Sequence, residues 1–90
     1  MRVTMSPTKQ IREKLQLTQT QFAITIGVSK GHMSEVEAGI APLSGKIKDF
    51  LEALCVNVEE IEKKHEVYME HKRQLYRAEA AQVVQAGTHH

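Results

Sequence analysis

The stretch from Thr18 to Gly39 constrains this chain most, because it spells two short helices separated by a tight turn. Thr18 is placed to cap the free amides of an opening turn, and Phe22, Ala23 and Ile26 follow at offsets 0, 1 and 4, forming one buried face. Gly27 ends that helix, since glycine accepts the left-handed backbone that closes one. Ser29 comes almost at once as a second cap. Met33 and Val36 then give a single apolar stripe at spacing 3, and Gly39 stops the second helix. The remaining positions, Lys30, Gly31, His32, Ser34 and Glu35, are small or polar and point away from that stripe. A helix with such a face is free to enter a groove.

The flanks also read as helix. Ser6-Pro7 is a start signal, with serine as the cap and proline where its missing amide does no harm. The helix it opens runs to about Leu15, with Ile11 and Leu15 as its core face and Lys9, Arg12 and Lys14 as solvated surface. Residues 1–5, whose cation is Arg2, read as a frayed arm. Ile40 to Gly45 is a loop, and a further helix from roughly Ser44 to Cys55 carries Ile47, Phe50, Leu51 and Leu54 at i, i+3, i+4, i+7. Cys55, beside that face, is expected to be a small core residue.

Ninety residues make one small domain with an appended helix, and with only 4% aromatic residues the core must rely on aliphatic side chains. Five Gly and two Pro favour helix over a turn-rich sheet, so no β-sheet is expected. A single cysteine excludes an intrachain disulfide framework or a Cys-rich zinc site. No apolar run approaches a membrane span, so the expectation is a cytoplasmic protein without membrane association.

The ordered residues Leu17-Thr18-Gln19, Phe22-Ala23, Ile26-Gly27-Val28-Ser29 and Ser34-Glu35-Val36-Glu37-Ala38-Gly39 resemble the helix-turn-helix domains of the phage-repressor and Cro type, also called the XRE family. The resemblance covers roughly Ile11 to Leu54. It implies an all-α, five-helix protein, a lambda-repressor-like DNA-binding domain over residues 1–56 with a long C-terminal helix in residues 57–90. It also implies a transcriptional regulator, a repressor acting as a dimer on a palindromic operator. In that motif the second helix lies in the major groove and the first crosses the backbone. Gln19 would then bond a phosphate, and Ser29 would cap and bond another. Lys30 would donate to guanine and Glu35 would accept from cytosine. His32 and Ser34 would touch phosphate or base; Gly31 departs from the family's usual side chain, so either the backbone approaches DNA closely there or that position reads little. Family members often place basic residues in the loop after the second helix; this chain delays them to Lys46 and Lys48. Residues 1–56 hold seven Lys/Arg against five Asp/Glu and residues 57–90 hold five against six, so the basic excess sits with the DNA-binding half. That excess is small, and two subunits would have to act together.

Enzyme chemistry finds no support. His65-Glu66 begins like a zinc-protease pattern, but Met69 stands where the second histidine belongs, and no phosphate loop or nucleophile elbow occurs. No cofactor or metal site is expected.

Asn57 with Glu60 three residues later has the form of a capping box and announces the C-terminal helix. Nothing interrupts it before Gly87, with fraying expected beyond about Arg77. Ile61, Tyr68 and Leu75 are seven apart, and Met69, Tyr76 and Val83 form a neighbouring row. Such a helix needs cover for its stripe, either from its own domain or from a second copy. The narrow seven-residue period favours a homodimer through Ile61, Tyr68 and Leu75. A protein-interaction module, such as an antitoxin or anti-repressor holding a protein partner, is the alternative that the near-neutral charge and long helix keep open.

Overall fold

Every helix of this protein opens on a side chain that satisfies a free amide of its first turn. The computed structural model describes residues 3–88, with side chains through Gln85. Met1, Arg2, His89 and His90 lie outside the described residues, and with them the cation of the N-terminal arm. The elements are α1 (Pro7–Lys14), α2 (Gln19–Ile26), α3 (Lys30–Glu37), α4 (Gly45–Ala53) and α5 (Val58–Thr88). Among the described residues there is no strand. Ser6 Oγ accepts from Lys9 N–H at 3.2 Å, Ser29 Oγ from His32 N–H at 3.0 Å and Ser44 Oγ from Ile47 N–H at 3.4 Å. Asn57 Oδ1 accepts from Glu60 N–H at 3.2 Å. At α2 the exchange is reciprocal: Gln21 N–H donates to Thr18 Oγ1, and Thr18 N–H to Gln21 Oε1. Each such cap contributes about 1 kcal/mol.

The first four helices also close alike, on a left-handed residue whose successor reaches back to the last turn. These residues are Gln16 (φ 58°), Gly27 (φ 89°), Gly39 (φ 78°) and Cys55 (φ 59°). Leu17, Val28, Ile40 and Val56 donate their amides to the carbonyls of Arg12, Ala23, Glu35 and Leu51. This geometry corrects the expectation for Cys55. Because α4 stops at Ala53, the left-handed turn swings the thiol outward, and Cys55 is exposed. Leu15 is displaced in the same way: it caps α1 and is 40% exposed, while Thr8, one turn before Ile11, is buried instead.

Phe22, Ala23, Met33, Val36, Leu43, Ile47 and Leu51 form the core, with Phe22 and Phe50 edge to face at 5.8 Å. Met33 and Val36 are fully buried, so truncating Met33 to alanine costs about 2–5 kcal/mol and loosens α3. Arg12 is not solvated surface. Its Nε and Nη2 donate to the two carboxylate oxygens of Glu37 at 2.9 Å each, and Nη1 donates to Leu17 O at 3.0 Å. The pair ties α1 to the far end of α3 and raises the guanidinium pKa above its ordinary value.

The first part of α5 folds back on this core. His65 Nε2 donates to Ala41 O at 2.8 Å, Tyr68 OH to Glu37 O at 2.7 Å and Tyr76 OH to Ala38 O at 3.1 Å. Glu62 forms an ion pair with Lys48. Ile61 packs against the core and Tyr68 is 5% exposed, so two members of the Ile61, Tyr68, Leu75 row are taken up within the chain. Only Leu75, 43% exposed, is left of the seam expected there. The physical reason is that the last residue of α3 and the turn after it offer three carbonyls, and Gly39, at the height where those rings pass. From Arg73 to Gln85 every residue is exposed, yet the backbone stays helical to Thr88 rather than fraying after Arg77. The projecting helix gives the molecule its extents of 55 × 28 × 21 Å.

Candidate nucleic-acid interface

The surface expected to read DNA is built on α3. At 3.6 residues per turn, Lys30, Gly31, Ser34 and Glu35 span an arc of about 140°, on the side away from Met33 and Val36. All four are exposed. Their rigidity comes from the opposite face, because the two buried side chains hold the helix axis against the core. Gly31 has nothing within 4 Å of where a Cβ would stand, so its backbone is open to a close neighbour.

Glu37, the second acid of this helix, does not belong to that surface. It is 7% exposed and neutralised by Arg12. Only Glu35 therefore opposes a phosphate from α3, a milder electrostatic burden than the sequence suggests.

Beside the start of α3 lies an open depression of about 580 Å³ lined by Gly27, Val28, Ser29, His32, Ser44, Gly45 and Lys46. Its walls include the capped N-termini of both α3 and α4, whose amides and dipoles favour negative charge. Lys46 Nζ donates to Gly27 O at 3.0 Å and so leans from α4 across the turn between α2 and α3. His32 Nε2 is buried without a hydrogen-bond partner. The Ser29 hydroxyl accepts from the His32 amide and keeps its own proton to donate outward.

Of the expected residues, the depression thus brings together Ser29, His32 and Lys46. Lys30, Gly31, Ser34 and Glu35 stand on the adjoining exposed face of α3, and Gln19 lies half-buried in the first turn of α2, outside the depression. Gly27, Val28, Ser44 and Gly45 complete the lining, none of them expected as a DNA contact, and Ser44 alone among these four brings a polar side chain. The signal for it was present, a serine three residues before the first buried residue of α4, but it read only as a helix start. Among the described residues no cluster of His, Cys, Asp or Glu could hold a metal ion, and no helix is long and apolar enough to cross a membrane. Compared with protein-family models, curated proteins and solved structures, the chain matches none of them.

Proposed function

We propose that this chain is a lambda-repressor-like helix-turn-helix protein that binds double-stranded DNA at a specific sequence and regulates transcription by occupying its site, as a dimer on a palindromic operator. The observation that carries this is the pairing of an exposed, small and polar α3 face with a depression where two helix N-termini and Lys46 converge. A helix about 10–12 Å across fits the roughly 12 Å major groove. With α3 in that groove, the depression meets the flanking backbone, so phosphate contacts set register while Lys30 and Glu35 select bases. Nothing in this mechanism calls for catalysis or a cofactor.

A mobility-shift series over randomised duplexes tests the roles. Glu35→Ala should change base preference at one position, by about 1–3 kcal/mol of discrimination. Gln19→Ala should weaken binding to all sequences alike. Equal losses for both variants across every sequence refute the assignment, and a chain that retains no duplex at low salt refutes DNA binding itself. One observation favours a second reading, a module that grips a partner protein as antitoxins and anti-repressors do: the exposed apolar residues Val83 (72%) and Val84 (65%) on the projecting helix. Co-purification of a second polypeptide with no affinity for heparin or DNA would select it.

A further inference from the structure

Toward its free end α5 carries an apolar row that its own fold covers only in part, Met69 being half-buried while Tyr76 and Val83 are exposed. A groove of about 370 Å³ runs between the α3–α4 turn and α5, with Ile40, Met69, Tyr76 and Ala80 along it and Arg73 and Arg77 at its rim. Ile40 is 63% exposed and Val83, one turn past Ala80, is 72% exposed. Met69, Tyr76 and Val83 are seven residues apart and so lie on one slowly drifting stripe. A helical segment of this length is marginal in water unless something covers that stripe.

We propose that this segment pairs antiparallel with the same segment of a second copy, about a two-fold axis at Tyr76, so that Val83 of each chain enters the groove beside Ile40 and Met69 of the other. The proposal rests on the two-fold part of the proposed function and gives it a surface. The row is symmetric about its middle member: Met69 and Val83 each stand seven residues from Tyr76, so in an antiparallel pair they come level. Charge selects the direction. Lys72 and Glu79 lie four residues before and three after the same centre, and on the same flank of the stripe, so antiparallel packing sets unlike charges together twice. Parallel packing in register would instead bring the flank that carries Lys72 beside the opposite flank of the second copy, which carries Arg73 at the same height, like against like. The contact is isologous and closes at two chains. It also explains why Ile61 and Tyr68 are not needed for association, since both already pack within their own chain.

The test uses the full chain with Cys55→Gly, which removes the native thiol at a left-handed position where glycine fits. Met69→Cys and Val83→Cys are added together and singly, and the proteins are oxidised in glutathione buffer. Within one helix the two positions are about 21 Å apart, far beyond the reach of a disulfide, so any bond between them joins two copies. The double-cysteine protein should give a covalent dimer, and neither single-cysteine protein should. In sedimentation of the otherwise native chain, Val83→Asp should raise the dimer dissociation constant at least tenfold without loss of helical content. Glu79→Lys should raise it too, and adding Lys72→Glu should bring it back. Three results overturn the proposal: a monomer at all concentrations, self-linking of Met69→Cys alone, or a dimer indifferent to Val83→Asp. DNA bound by a chain that stays monomeric also sinks this seam while leaving DNA binding in place, and a cross-linked dimer that ignores DNA does the reverse.

Discussion

Two residues carry the unexpected chemistry of this fold. Arg12 and Glu37 are 25 positions apart and meet in a bidentate pair with side chains 14% and 5% exposed. Removing one partner leaves a charge with no counterpart in a dry site, so Arg12→Ala should cost about 3–5 kcal/mol in urea unfolding. Replacing both, as Arg12→Met with Glu37→Leu, should recover most of that loss, because apolar residues of similar volume need no desolvation. His65 predicts a pH dependence. Burial lowers its pKa below the ordinary value, outweighing the Ala41 carbonyl and the charges of Glu66 and Glu62, which act the other way. The unfolded chain therefore takes up a proton more readily than the folded one. The contribution of His65 is complete above about pH 6.5 and falls as the pH drops through that value toward the folded pKa, by at most about 1.4 kcal/mol per unit. Urea midpoints from pH 8 to 5 should show this acid limb, and His65→Gln should flatten it.

At the scale of elements, α5 behaves as two segments of one helix. The junction turns on Gly39, where an added Cβ would meet Lys72 Cγ at 2.8 Å and Tyr68 Cε2 at 3.1 Å, on a backbone with φ 78°. Gly39→Ala should thus be destabilising by about 2 kcal/mol or more, from left-handed strain together with the displaced helix. In Gly39→Ala the backbone amides of α5 from Tyr68 to Tyr76 should exchange faster than those of the core, as this part of the helix loses its hold on the end of α3. Gly27 has the same backbone sign but open space around it, so alanine there should cost only the strain. The α3 surface needs the junction only indirectly. Its aim is set by Met33 and Val36, and its far end is held through Glu37, whose carboxylate binds α1 and whose carbonyl binds α5.

For the whole molecule, exposure along Arg73 to Gln85 predicts that a chain ending after Arg77 keeps the unfolding free energy of the full chain, measured as dilute monomer, to within about 0.5 kcal/mol. The same cut should abolish self-association. Much of this architecture was legible beforehand. All five helix starts and the glycine closures at Gly27 and Gly39 are written within three or four residues, because a cap is a bond between near neighbours in the chain. The buried faces of α2 and α3 are equally local, since a helix repeats every 3.6 residues whatever surrounds it. Tertiary structure alone decided which surface each face would meet. It drew Arg12 and Glu37 out of solvent, turned Leu15 and Cys55 outward past the ends of their helices, and took up Ile61 and Tyr68 of the α5 row within the chain while leaving Leu75 open. Periodicity states that a stripe will be covered; the covering surface is chosen by contacts between residues tens of positions apart, and no local pattern encodes those.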